Sequence, residues 1–343
     1  MKKIVTFGEL MLRLRPPDHE KFFQSPTLEA TFGGSEANVA VGLARFGLKS
    51  YFVSILPDND IGDAAIGELR RYGVDISLIK RKEGRIGIYF LETGANQRSS
   101  KVIYDRKYSS FYNIENGDID WGKIFDNDTW FHISGITPAI SRKLADETIR
   151  AIDIAREKGA IISCDLNYRK KLWDYGVSSV EVMSKIVSKI DYVIANEEDV
   201  QMTLGIDVNG IDIEGERIEK DRYRKLTDIV LDEYRNIKKI AITIRESFSA
   251  DYSGWSSVLN NRKEFFISKR YNIRDIIDRV GAGDAFAAGL IYGLNNFKRD
   301  NEALEFATAA SCLKHSIPGD LPLLYLEEVI NLMRSAGSGR IQR

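Results

Sequence analysis

The chain has two cysteines and three histidines in 343 residues, and both scarcities exclude chemistry. Cys164 and Cys312 stand far apart without the spacing of a metal site. Two isolated thiols fit a reducing compartment rather than a disulfide scaffold. His19, His132 and His315 are too scattered to suggest a zinc centre. Excess charge is missing as well: 49 Lys and Arg stand against 50 Asp and Glu, a formal net charge of −1. With no overall basic field to hold a polyanion, no nucleic-acid partner is expected. Long hydrophobic runs are absent. The most apolar segment, 285–294, is too short to cross a bilayer and carries two glycines. The opening MKKIVTFGEL mixes polar and apolar residues where a signal core would be uniformly apolar. The expectation is a cytoplasmic enzyme with no membrane attachment.

What is present is alternation. Short β-rich runs at 4–7, 51–56, 130–134, 160–165, 192–195 and 239–244 are interleaved with amphipathic stretches at 36–46, 62–72, 141–158, 178–189 and 223–236. This order predicts an α/β fold built on a mainly parallel sheet covered on both faces. After Gly283 the pattern turns helical, at 284–294, 301–315 and 325–335. Segments 10–31 and 85–112 break the alternation, each with apolar residues at strand spacing interrupted by prolines or a polar turn. They read either as β excursions that meet in one small lid or as surface hairpins without a role. A single domain over 1–335 is expected, with the charged stretch 207–224 an exposed insertion and 336–343 a frayed tail.

Two glycine motifs carry chemistry. The first is Asp278-Arg279-Val280-Gly281-Ala282-Gly283-Asp284, leading into a helix of small residues. The backbone amides of Gly281, Ala282 and Gly283, unobstructed at a helix start, form a site for phosphate or a developing anion. Asp284 beside them is placed to take a proton from a hydroxyl nucleophile, the helix dipole holding it ionised. The competing reading is a tight loop with a helix-start aspartate. The second motif, Gly33-Gly34-Ser35-Glu36-Ala37-Asn38, opens another helix. Gly33 and Gly34 permit close approach, and Asn38 offers a donor and an acceptor to a polyol. Here the competing reading is a capped helix with Ser35 as the cap.

In this order and at this distance, the two motifs resemble the signatures of the ribokinase-like, or PfkB, family of sugar kinases, from Lys3 to about Ile330. The resemblance implies a ribokinase-like three-layer sandwich with a small β-sheet lid. It also implies ATP with Mg²⁺ as cofactors and Asp284 as catalytic base. The stretches Phe131 to Pro138, Asp165-Leu166-Asn167-Tyr168-Arg169 and Tyr104-Asp105-Arg106 resemble the branch acting on keto-deoxy sugar acids such as 2-keto-3-deoxygluconate. That branch implies substrate contacts from Gly34, Tyr89, Tyr104, Arg106, Ile136, Arg169 and Asp320, and places Asn196 near the nucleotide. Arg106 and Arg169 each follow a strand, where a planar guanidinium fork suits the carboxylate that neutral sugars lack.

Departures from the family pattern accompany these matches. Asn196-Glu197-Glu198-Asp199 ends in Asp where the family has Glu, which leaves Asp199 an indirect metal organiser through water. Arg279 replaces a small hydroxyl residue. Thr243 and Arg245 align with a nucleotide-contacting turn that lacks its usual glycine. The expected partners are a small sugar acid and ATP, with homo-oligomerisation through the lid. Alternatives within the family are a fructokinase, a ribokinase or a kinase for another keto-deoxy acid. The alternative outside catalysis is an inactive sugar or nucleotide sensor.

Overall fold

The computed structural model describes residues 2–206 and 220–334. Most of the charged insertion and the whole of the tail lie outside the described residues. The chain opens with β1 (Lys3–Phe7), β2 (Met11–Arg15), β3 (Glu29–Gly33) and α1 (Ser35–Arg45). Then come β4 (Ser50–Pro57), α2 (Asp60–Arg71), β5 (Ile79–Lys82), β6 (Ile88–Glu92) and β7 (Lys101–Asp105). The middle of the chain forms α3 (Trp121–Ile124), β8 (Thr129–Ser134), α4 (Ile136–Ile140), α5 (Arg142–Glu157), β9 (Ile161–Asp165) and α6 (Ser179–Val187). Next are β10 (Tyr192–Ala195), α7 (Glu197–Leu204), α8 (Lys220–Glu233), β11 (Lys239–Ser247) and β12 (Ser253–Asn260). The last elements are β13 (Phe265–Ile267), β14 (Tyr271–Ile273), α9 (Ala282–Asn296), α10 (Asp300–Lys314) and α11 (Leu326–Arg334).

The main sheet runs β13-β12-β11-β10-β9-β8-β1-β4-β5, with β14 also on β12. Its body from β5 to β11 is parallel, whereas β12, β13 and β14 are antiparallel. The period of two along each strand explains the layers. Val5, Phe7, Phe131, Ile133, Val193, Ile240 and Ile242 face a core shared with α3, α5, α6, α7 and α8. Ile4, Trp130, Ile194, Ala241 and Leu259 face the opposite core, shared with α1, α9, α10 and α11. The result is the expected three-layer α/β sandwich.

The two irregular segments do meet. A second sheet runs β3-β2-β6-β7, in which β2–β3 and β6–β7 are antiparallel hairpins joined by a parallel β2–β6 pair. Its inner residues Met11, Tyr89 and Leu91 pack on Val280, which places this sheet against the start of α9. The antiparallel flank of the main sheet was not legible in the sequence. β12 is buried throughout but reads Ser-Gly-Trp-Ser-Ser-Val-Leu-Asn, with serines where an apolar alternation would signal a strand. Ser257 Oγ bonds Ser268 and Thr308 and Ser253 Oγ accepts from Arg279, whereas the Ser256 Oγ is buried without a partner among the described residues.

Candidate active site

Two glycine-opened helices, α1 and α9, bring their first turns together. Gly34 caps α1 in extended backbone, and a Cβ there would lie 2.0 Å from Glu9 O. Gly281 caps α9 at φ 82, the left-handed region that favours glycine, and a Cβ there would lie 2.0 Å from Asp320 O. A side chain at Gly33 would meet the Asp320 carboxylate at 2.2 Å. These close approaches let the loop carrying Asp320 wedge between the two helix starts.

Asp284, the third residue of α9 rather than its first, sits at the junction. Ser35 Oγ donates to its Oδ1 at 2.7 Å and Asn38 Nδ2 to its Oδ2 at 2.6 Å. Ser35 therefore does not cap α1; its hydroxyl is spent on Asp284 and also accepts from Asn167 Nδ2 at 3.2 Å. Around Asp284 the anion-binding amides are fewer than expected. The Ala282 N–H donates to Arg279 O at 3.2 Å, whereas no such bond among the described residues ties the N–H of Gly281 or Gly283. Gly283 is also exposed.

The small sheet reaches the same place. Arg13 of β2 is fully buried and forks between Asp278 and Asp320, 2.5 Å to each. Tyr89 of β6 donates its hydroxyl to the other oxygen of Asp320 at 2.5 Å. Burial holds the Tyr89 phenol neutral, well above its ordinary range, so it stays a donor. Tyr104 is half-buried beside Tyr89, ring centroids 6.3 Å apart.

Arg106 differs from the expectation. Its Nε and Nη2 both grip Glu9 Oε2, at 2.8 and 2.6 Å, so its two-point fork is used inside the protein. Arg169 is exposed, its Nη1 donates to the Tyr168 carbonyl, and its charge is felt at Asp165, Asp199 and Asp284. A cleft of about 440 Å³ lies beside this group, lined among others by Tyr104, Arg106, Tyr112, Ile140, Lys171 and Leu172. Ile136, the half-buried first residue of α4, is not part of that lining.

A sequence profile of the pfkB family carbohydrate kinases matches residues 1–223 and 250–321. The chain belongs to this family. The crystal structure of 2-dehydro-3-deoxygluconokinase from Thermotoga maritima is 47% identical, with a TM-score of 0.91 over 98% of this chain and 100% of that one. A 2-dehydro-3-deoxygalactonokinase of Haloferax volcanii is 29% identical over 98% of both chains. A 2-dehydro-3-deoxygluconokinase of Bacillus subtilis is 25% identical over 97% of this chain and 95% of its own.

In this kinase the helix dipole does not set the state of Asp284 alone. Burial raises its pKa above the usual carboxylate range, while the bonds from Asn38 and Ser35 pull it down; Asp320 raises it and Arg169 lowers it. Asp165 is also raised by burial, then by Asp199 and Asp284, with Arg169 opposing. Asp199 has structural work: its Oδ2 and the Asn196 Oδ1 exchange backbone bonds in a capping box, and its Oδ1 accepts from Tyr168 N. Asn196 thus caps α7, and Thr243 Oγ1 makes a long 3.5 Å bond to Ala195 O.

No group of three or more His, Cys, Asp or Glu among the described residues is arranged to hold a metal. The buried carboxylates of Asp165 and Asp199, the first raised in pKa by the charge of the second, instead fit a hard cation that arrives with phosphates. No helix among the described residues is long and apolar enough to cross a membrane.

Residues left without a site role by the sequence reading bond into the same group: Arg13 to Asp278 and Asp320, Asn167 to Ser35, and Ser35 to Asp284. Arg13 had a signal: the β2 run Met-Leu-Arg-Leu-Arg places it on the same strand face as Met11, where a solvated arginine is out of place. Arg279 reaches the β11–β12 turn, bonding Ser249 O and Ser253 Oγ. Ser253 pairs with Ser247, and Arg245 with Trp255, so Arg245 and Arg279 share one face of that hairpin.

Proposed function

We propose that the protein transfers the γ-phosphoryl group of ATP to the terminal hydroxyl of 2-keto-3-deoxygluconate, giving the 6-phospho product and ADP. The observation that carries the reading is the Asp284 carboxylate, held by Ser35 and Asn38 beside the open amides of Gly281 and Gly283. A base, an anion site and polyol-binding groups converge there, which is what in-line phosphoryl transfer requires. Asp284 accepts the hydroxyl proton as the oxygen attacks. The amides of Gly281 and Gly283 hold the equatorial oxygens of the transferring group. When bound, Mg²⁺ supplies charge neutralisation across the nucleotide phosphates, with Asp165 and, through water, Asp199 as the carboxylates that would steady it.

On the substrate side, Gly33, Gly34 and Asn38 let the polyol approach, and Tyr89, Tyr104, Ile136 and Asp320 border it. Arg169 pairs the carboxylate, with Arg106 limited to its remaining Nη1. Asn196, Thr243, Arg245 and Arg279 line the nucleotide side. The small sheet acts as the lid that excludes water from the phosphoryl group. We infer further that the chain works in the cytoplasm and self-associates through this sheet, whose edge strand β7 leaves Ile103 half exposed.

The 47% identity to the Thermotoga enzyme over nearly the whole chain supports the sugar-acid assignment. The Haloferax relative makes the galactonate epimer the second reading. ADP release measured against 2-keto-3-deoxygluconate, 2-keto-3-deoxygalactonate, fructose and ribose tests both. A preference for fructose or ribose would overturn the sugar-acid reading and keep the kinase. No turnover of any of them would favour a sensor.

A further inference from the structure

Lys314 is the last residue of α10 and is fully buried. Lysine is almost never buried without a counterion, because its ammonium loses strong hydration. Yet no carboxylate closes on it within ion-pair distance among the described residues, and its Nζ donates to a single acceptor, Ile317 O, at 3.0 Å. Its stem lies directly behind the anion-binding loop: a Cβ on Gly281 would stand 3.3 Å from Lys314 Cε.

Burial lowers the Lys314 pKa from its ordinary value, and the carboxylates around it oppose that loss of the ammonium. Asp278 and Asp320 face it from the two flanking loops, Asp284 from α9 and Arg13 from β2. His315 follows it in the chain, with a ring held neutral by burial, its pKa near 4. Arg169 and Asp165 also interact with Asp284. Three carboxylates against Arg13 alone would leave two negative charges in excess behind amides meant to receive a phosphoryl group. Lys314 reduces that excess to one. Through Ile317 it also ties down the loop that carries Asp320 into the site.

We propose that Lys314 is a positioning residue of the phosphoryl-transfer site, an internal cation that keeps Asp284 ionised and the Gly281–Gly283 loop receptive to an incoming anion without touching substrate. This rests on Asp284 being the base. The sign follows: removing a nearby positive charge makes ionised Asp284 costlier, so the base stays protonated to higher pH and the acid limb of the kcat profile moves upward.

The test pairs Lys314→Met with Lys314→Ala. Methionine keeps the length and fills the volume without charge, so folding should survive, as read by circular dichroism and thermal melting. The expected result for Lys314→Met is a loss of about 10- to 100-fold in kcat near neutral pH, smaller at high pH because the acid limb has shifted up. Lys314→Ala should regain activity with methylammonium chloride but not with tetramethylammonium chloride at equal ionic strength. Lys314→Gln, measured alongside, gives the same profile if Lys314→Met fails to fold. An unmoved acid limb, or no methylammonium rescue, overturns the proposal. Asp284→Asn separates the two readings. If that variant keeps its turnover, the base assignment falls, and the methylammonium arm still decides whether an ammonium at position 314 is needed.

Discussion

An aspartate three residues into a helix is unremarkable on a surface; at position 284 it is buried and both its oxygens accept a side-chain bond from α1. That difference fixes what substitution should do. Asp284→Asn keeps the shape and removes the proton acceptor, so kcat should drop by roughly 10²- to 10⁴-fold, with ATP binding measured by calorimetry little changed. Near-normal turnover by the folded variant would return Asp284 to a structural role. Arg169 calls for a different measurement. Unlike Arg106, which is committed to Glu9, it has no carboxylate bonded to its guanidinium among the described residues. Arg169→Lys keeps the charge and loses the fork. For the keto acid, kcat/KM should fall about ten- to a hundredfold, with little change in any residual activity on fructose. Equal losses on acid and neutral substrates would mean that Arg169 shapes the pocket without reading the carboxylate. The sequence named both residues, but the sequestration of Arg106 could not be read there. Glu9 lies 97 positions away in the connection from β1 to β2 and joins it only when β6 and β7 fold onto β2 in the small sheet.

Among the elements, the joint between α1 and α9 tolerates least change. Gly281→Ala combines a left-handed backbone with a Cβ 2.0 Å from Asp320 O, so the Asp320 loop must move. A fall in Tm together with a fall in kcat is expected, whereas Gly283→Ala, with nothing within 4 Å of its Cβ, should leave Tm nearly unchanged. Unchanged Tm in Gly281→Ala would show that the loop relaxes without cost. The long helices were legible because their period is strong, as in α5, and the parallel strands because they are short β-rich runs buried on both faces, as in β8. The short capped helix α7 was missed: its apolar residues are few, and its Asn196 and Asp199 looked like nucleotide chemistry rather than the capping box they form.

At the scale of the whole molecule, buried acids make stability depend on pH. Glu36 is wholly enclosed, accepting from Ser134 N, Ser134 Oγ and Thr137 Oγ1, and burial raises its pKa from an ordinary 4.5 to about 7. A raised folded-state pKa contributes stability that is full below 4.5 and lost as pH climbs through about 7. Glu36→Gln keeps an acceptor for those donors and removes the ionisation. The stability gap between variant and wild type should widen by about 3 kcal/mol between pH 4.5 and 8, read from denaturant melts. Asp284 and Asp320 titrate in both proteins and cancel in that difference. A gap that does not change with pH would place the Glu36 carboxyl in a better-solvated setting.

The grip of the small sheet on Asp320 also governs traffic. Swinging the sheet outward would strip Asp320 of Arg13 and Tyr89 together and strand Arg13 from Asp278 as well. Opening breaks three buried bonds to Asp278 and Asp320 at once, so the closed arrangement is the more populated one. Sugar that enters without such an opening would use the cleft beside β7, which Tyr104 and Leu172 help to line. The rate at which sugar arrives would be set by the width of that cleft, and a bulkier residue at Leu172 should slow capture while leaving turnover of bound substrate alone.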